Sequence, residues 1–239
     1  MKIKYFVLLL TFCLCACVNR PHDPEWTEKT IKTKYLSFQV WEKDVHEGGD
    51  LRLYIEGDGS PMPDRPIAFE LAQRDPNPNV IYISRPCQYV DCEECKNPAL
   101  WQEERFNEEI VNEMKSLVVH LSHKYKSPAL DLIGYDGGGT MALLLATRIP
   151  VRQVITIGGI LDTKTYASDQ GITLNGMNPL RFLNTLSAVK QVHYVGTEDT
   201  KTPPQHAEYF VTRLKDPLSA VIKSVPGATH TDWQGLVVE

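Results

Sequence analysis

Apolar positions follow two rhythms along this chain. In KYLSFQVWEK, residues 34–43, Leu36, Phe38 and Val40 share one side at period two, as in a half-buried strand. HEGGD then makes a turn and DLRLYIEGDG runs back, so a hairpin of these two strands is expected. Asp64-Arg65-Pro66 has the form of a helix start, with Asp64 as the cap and proline in the first turn. NVIYISR, between Pro78 and Pro86, reads as a short buried strand. Over 103–125 the rhythm changes: Phe106, Ile110, Met114, Leu117 and Leu121 form one helical stripe. ALDLIG is the next strand, and Gly139 to Arg148 the next helix, stopped by Pro150. VRQVITIGG, VKQVHYVG and LSAVIKSV are three more strands, with the helical HAEYFVTRL between the last two. Strands that alternate with helices imply a mostly parallel central sheet with helices on both faces.

Length and charge narrow the class. The chain has 239 residues, 42% of them hydrophobic, and a net charge of -5. That suits one globular domain with a sizeable core and gives no reason to expect nucleic acid as a partner. The N-terminus is different. Lys2 and Lys4 precede the apolar run YFVLLLTFCLCAC, which is too short for a comfortable membrane span. A basic start, an apolar run and a small residue before cysteine read as a secretory signal. Leu14-Cys15-Ala16-Cys17 resembles a bacterial lipobox, so Cys17 is the expected fatty-acylated residue. The expected division is a signal peptide at 1–16, a lipid-anchored tether at 17–33 and a folded domain at 34–239. Val18 rather than aspartate after Cys17 leans, by the sorting rules of such lipoproteins, to an outer membrane location facing the periplasm.

Export changes how the remaining cysteines read. CQYVDCEEC holds Cys87, Cys92 and Cys95. Their spacing equals the first three ligands of a plant-type iron–sulfur site, but no fourth cysteine follows. A structural disulfide is favoured, Cys87 with Cys95 first among the pairings, leaving one odd thiol. The sequence does not fix the pairing.

In mostly parallel sheets, ligands sit at the carboxyl ends of the strands. Those ends here are polar. YIEGDGSP carries Glu56, Gly57, Asp58 and Gly59; LIGYDGGGT carries Asp136; TEDTKTPP carries Glu198 and Asp199; PGATHTDWQG carries His230. The layout strand, G-x-D-x-G, helix is that of a nucleophile elbow with aspartate at the position serine usually holds. Elbow, then acid, then histidine is the chain order of α/β-hydrolase triads. The candidate catalytic residues are therefore Asp136, Asp199 and His230, with the backbone N–H groups of Asp58 and Gly137 as oxyanion donors. Asp162 is a second-choice acid. His120 and His123 lie i,i+3 on a helix without a cysteine or carboxylate partner nearby, so no metal is expected, nor any other cofactor. His193 and His206 read as structural, and Trp233 as a packing residue. GYDGGG lacks the lysine and hydroxyl residue of a phosphate loop.

These motifs resemble a family of small bacterial α/β-hydrolase-like lipoproteins. The resemblance rests on YIEGDG (54–59), SRPCQY (84–89), Trp101 with Arg105, GYDGGG (134–139), Leu161-Asp162, Asn178-Pro179, GTEDTKTPP (196–204) and GATHTDW (227–233). It covers nearly the whole mature chain and implies the α/β-hydrolase fold and its site more firmly than a substrate. The family's members usually carry serine where this chain has Asp136. An aspartate needs no deprotonation at neutral pH and attacks electrophilic sp3 carbon, as in an alkyl halide or epoxide. The chain departs from dehalogenases, which place tryptophan where Gly137 stands, and from epoxide hydrolases, which use two cap tyrosines where only Tyr166 is found. The expected small-molecule substrate carries an ester, epoxide or carbon–halogen bond, and Asp136 as nucleophile suits the last two, because attack on an ester carbonyl would form an anhydride; Asp136 as a general base on water and a pseudo-hydrolase that binds without reacting also stay open.

Overall fold

The structure, a computed structural model, describes residues 20–57, 63, 65–91 and 93–239. Eight strands form one sheet: β1 Thr27–Lys32, β2 Ser37–Lys43, β3 Leu51–Ile55, β4 Val80–Ile83, β5 Leu130–Tyr135, β6 Gln153–Ile157, β7 Lys190–Gly196 and β8 Ala220–Val225. Their order is β1-β2-β4-β3-β5-β6-β7-β8. β1–β2 and β2–β4 are antiparallel, and all later pairs are parallel. The helices are α1 Ile67–Gln73, α2 Glu108–Lys124, α3 Gly137–Ala146, α4 Thr163–Gln170, α5 Leu183–Leu186 and α6 Pro204–Val211. Among the described residues no helix is long and apolar enough to cross a membrane.

Two expectations are corrected here. β2 and β3 do run in opposite senses, but they are not neighbours. β4 lies between them, with Val40 opposite Ile83 on one side and Tyr54 opposite Tyr82 on the other. Every residue of β3 and of β4 is buried, so both belong in the sheet's interior. The real hairpin is β1–β2, Thr27 opposite Glu42 through Lys32 opposite Ser37. It draws on residues expected in the tether: the folded part begins before residue 34, with Trp26 buried against Phe69 at 5.1 Å between ring centroids. β1 is an edge strand held by its main chain, and Glu28, Lys29 and Lys32 keep that edge polar. Its side chains carry almost no apolar signal for that reason. The Asp64 cap expected for α1 lies outside the described residues.

The sheet has an apolar layer on each face. Phe38, Leu53, Met114, Leu117, Leu143 and Phe210 bind α2, α3 and α6 to one face. Trp41, Tyr54, Phe69, Tyr82, Ile133 and Trp233 bind α1 and the C-terminal segment to the other. At the amino ends of the strands, buried Asp131 accepts hydrogen bonds from Arg152 Nε (2.8 Å) and Nη2 (2.6 Å), so that end is closed by paired charge. The carboxyl ends carry the polar loops.

Candidate active site

β5 ends at Tyr135 and α3 starts at Gly137, so Asp136 occupies the turn alone, at φ 49° and ψ -121°. A non-glycine residue at positive φ costs about 1–3 kcal/mol and persists only where its surroundings determine it. They do so here. Asp136 N–H donates to Ile157 O (3.1 Å), and Asp136 O accepts from Gly139 N (3.0 Å) and Ile160 N (3.1 Å). The glycines of G-x-D-x-G are steric requirements. A Cβ on Gly134 would lie 2.1 Å from Gly138 O, and one on Gly138 would lie 2.2 Å from Ile55 O. The sharp turn lifts the Asp136 carboxylate out of the sheet toward the loop after β8.

His230 meets it there. His230 Nε2 is 3.2 Å from Asp136 Oδ1, and His230 Nδ1 is 2.9 Å from Asp199 Oδ2. All three residues are buried. The loop that carries His230 is fixed through its own carbonyl, which accepts from Tyr135 Oη (3.0 Å) and Trp233 Nε1 (2.8 Å). Asp199 is fixed as firmly. Its Oδ1 accepts from the backbone N–H groups of Lys201 and Thr202, each at 2.9 Å, and its Oδ2 from Thr202 Oγ1 at 2.7 Å. Glu198, its neighbour, is exposed. Asp162 does not join the group. It caps α4, accepting from Lys164 N (3.0 Å), Thr165 Oγ1 (2.6 Å) and Asn178 Nδ2 (2.6 Å).

The electrostatics follow from this packing. Burial works against charge on His230, but hydrogen bonds to Asp136 and Asp199 and their negative fields outweigh it and push its pKa up to about 9. Burial also works against charge on Asp199, yet the His230 bond and the Thr202 N–H hold its carboxyl below the usual range. A ring that keeps its proton to about pH 9 is charged at neutral pH, and it lies here between the carboxyl groups of Asp136 and Asp199. Glu56, at the end of β3, is a third carboxyl close by. Burial above all pushes it up to about 7, with the Asp136 charge acting in the same direction. Gly57 N–H (2.8 Å), Tyr82 Oη (2.9 Å) and Ala68 N–H (3.4 Å) all donate to it.

Gly137 opens α3, where a helix N-terminus presents N–H groups to negative charge. Asp58 and Cys17 lie outside the described residues, as does Cys92. Cys87 and Cys95 form a disulfide with Cα atoms 5.1 Å apart. Tyr166 is buried on α4. Residues 158–189 cover part of this end of the sheet and are zipped to the loop before α2 by Asn175 N to Glu103 O (2.7 Å) and Met177 N to Phe106 O (2.9 Å). A groove of about 590 Å³ runs along this seam, lined by Gln102, Glu103, Arg105, Ile172 and Thr173 and by none of Asp136, Asp199 and His230. His193 Nδ1 is 2.8 Å from Thr156 Oγ1, His206 Nε2 is 3.1 Å from Asp169 Oδ2, and Trp233 is committed to the His230 carbonyl. Among the described residues no three His, Cys, Asp or Glu side chains are grouped to hold a metal.

Sequence reasoning gave no role to Thr202, Tyr135, Glu56 or Gln88. Glu56 follows an apolar strand directly and lies in YIEGDG, and Gln88 lies in SRPCQY, but neither segment assigned them a task. Thr202 lies three residues past Asp199, within TEDTKTPP, and Tyr135 is the x of the elbow.

No protein-family model matches the chain, and neither does any curated protein. Solved structures do. An alpha-beta serine hydrolase homologue from Coxiella burnetii superposes with a TM-score of 0.61 at 13% identity, over 86% of this chain and 89% of that one. The proline iminopeptidase-related protein from Thermus thermophilus gives 0.63 at 14%, over 87% and 91%. Est1E from Butyrivibrio proteoclasticus gives 0.62 at 12%, over 85% and 90%. The chain has the α/β-hydrolase fold.

Proposed function

We propose that this protein is a hydrolase of small molecules in which Asp136 attacks an electrophilic sp3 carbon, as in an epoxide or alkyl halide. One observation carries the reading: a carboxylate on the elbow turn, 3.2 Å from a histidine that a second carboxylate holds at 2.9 Å. The serine-hydrolase and iminopeptidase names of the structural neighbours speak for acyl transfer in those proteins. Acyl transfer is a poor route here, because a carboxylate that attacks an acyl carbonyl forms an anhydride.

The steps balance. Asp136 Oδ forms a C–O bond to substrate as the carbon–halogen or epoxide C–O bond breaks. The epoxide oxygen takes the His230 proton; on the alkyl-halide route the halide departs as an anion and the His230 proton passes to solvent once the ester has formed. The ester that results carries no charge, so His230 loses one of the two fields that raised its pKa and becomes a usable base. It then removes a proton from water, which adds to the ester carbonyl. The backbone N–H groups of Gly137 and residue 58 are the donors for the oxyanion that forms. Collapse releases alcohol and restores Asp136. Asp199 orients His230 throughout.

The test uses a panel of epoxides, alkyl halides and esters. A single turnover in oxygen-18 water places label in the Asp136 peptide. Label that reaches product directly and never Asp136 would instead favour Asp136 as a general base. Asp136→Asn lowers turnover by at least about a thousandfold while leaving the fold in place. A panel that is inert for the native protein, with esterase activity gained by Asp136→Ser, would establish an elbow that has lost its nucleophile and a domain that only binds.

We further infer a lipid-anchored protein of the bacterial envelope, held at the outer membrane and facing the periplasm. LCAC after a short apolar run supports it, and the Cys87–Cys95 disulfide suits an oxidising compartment. Cys17→Ser is expected to move the protein from the membrane fraction or leave it as precursor. Mass spectrometry that finds an unmodified Cys17 on mature protein would refute the anchor.

A further inference from the structure

The loop after β4 reaches back to the turn after β3, and no step above uses that contact. Gln88 is buried. Its Nε2 donates to Gly57 O at 3.3 Å, its Oε1 accepts from Arg85 N at 2.8 Å, and its own N–H donates to Arg85 O at 3.1 Å. A backbone N–H can only donate and a carbonyl can only accept, so the side-chain amide fits in one orientation. The backbone on each side of Gln88 is unusual. Cys87 has φ 66° and Tyr89 has φ 61°, both in the left-handed region that disfavours residues with a Cβ. The disulfide ties Cys87 to Cys95, in the short helical turn Glu93–Lys96, and so constrains this segment.

What Gln88 holds matters for the site. A Cβ on Gly57 would lie 2.9 Å from the Tyr135 ring and 3.2 Å from Asp136 Cβ, so Gly57 packs flush against the elbow. Its N–H is tied to Glu56 Oε1 at 2.8 Å. Its carbonyl belongs to the planar unit whose other end is the N–H of residue 58. In a trans peptide the two groups point in opposite directions. A bond that fixes the carbonyl fixes the plane.

We propose that Gln88 is a positioning residue: it orients the peptide group between Gly57 and residue 58, and the Cys87–Cys95 disulfide keeps Gln88 in place. The consequence for catalysis rests on the reading above, in which that peptide supplies an oxyanion donor; the structural part does not. Gln88→Glu is the sharp variant. It keeps the acceptor for Arg85 N–H but replaces the donor to Gly57 O with a repelling oxygen. Hydrogen exchange followed by mass spectrometry, on the full native chain, is expected to speed up tenfold or more in the peptide covering residues 55–63. The peptide covering β6 should be unchanged. Cys95→Ser, with Gln88 intact, should produce the same local change. Gln88→Met, close in size and without either bond, serves where Gln88→Glu does not fold.

On whichever panel substrate turns over, kcat should fall at least tenfold while KM changes less than threefold. A merely structural residue would show in the melting temperature and not in that split. Native exchange at 55–63 in a folded Gln88→Glu or Gln88→Met protein overturns the proposal. Faster exchange in those variants but not in Cys95→Ser overturns the part given to the disulfide. If the panel is inert for the native chain, the catalytic reading fails, and the exchange result still decides whether Gln88 holds the turn.

Discussion

His230 has a carboxylate on each side at hydrogen-bond distance, and its chemistry follows from which of them is charged. With both charged, the ring holds its proton to about pH 9. Removing the charge of one should lower that value. Asp136→Asn is therefore expected to move the His230 titration down by at least a pH unit, read from its ring proton and nitrogen shifts by NMR. A titration that stays near 9 would mean that Asp199 alone sets it. The same comparison imitates the first step of the proposed covalent route, because an esterified aspartate, like asparagine, is neutral. On the proposed covalent route, the acid of the resting state and the base of the intermediate would be one residue in two fields, not two residues. Its neighbour Asp199 does not alternate, since two backbone N–H groups and a threonine hydroxyl hold it as an anion.

The strand–turn–helix unit from β5 to α3 is where sequence and geometry agree most closely. Its glycines have nowhere to put a side chain. Gly138→Ala would drive a Cβ to within 2.2 Å of the Ile55 carbonyl on the neighbouring strand. The expected loss is on the order of 3 kcal/mol, measured by denaturant unfolding. A loss below about 1 kcal/mol would mean that β3 yields easily. This unit was legible because its constraint is local: a strand, a G-x-D-x-G and a helix within a few residues. Asp136, Asp199 and His230 were legible as candidates for a related reason, since each follows a strand whose apolar run is unambiguous. β1 was not legible. TEKTIK holds its place mainly through main-chain pairing, and Ile31 is the one apolar side chain it packs against the core. The β2–β3 hairpin was misread because alternation reports which face a side chain occupies and says nothing about which strand lies alongside. Gln88 stood in SRPCQY without a role, because the one proposed for it depends on a left-handed backbone at Cys87 and Tyr89 that no residue type there advertises.

At the scale of the whole fold, three buried groups among the described residues act on stability between about pH 4 and 9. His193 is buried neutral in the core, and burial brings its pKa down to about 4. Unfolded, it takes a proton near pH 6.5. Its contribution is therefore full above 6.5 and is lost as pH falls toward 4. His230 has the opposite sign: raised to about 9, it contributes fully below 6.5 and loses that contribution as pH rises toward 9. Glu56, raised to about 7, binds its proton more tightly when folded, so it also favours acid, from its unfolded value up to 7. Between pH 4.5 and 6.5, His193 and Glu56 oppose each other. Above 6.5, His230 and Glu56 act together. Melting temperature should be nearly flat across the first interval and fall across the second, with a total loss of about 3 kcal/mol by pH 9. A melting temperature that rises from pH 7 to 9 would contradict the charge state assigned to His230.

The positive φ of Asp136 has a consequence that reaches past this chain. That angle is imposed by Ile55, Ile157, Ile160 and the glycines, none of which touches the chemistry of the side chain presented. The turn is a socket. Any short side chain that tolerates the angle can be seated in it, facing the same histidine and the same helix start. A lineage can then exchange a hydroxyl for a carboxylate, or the reverse, by one substitution. The exchange would alter which bonds the protein breaks without asking the scaffold to learn a new shape.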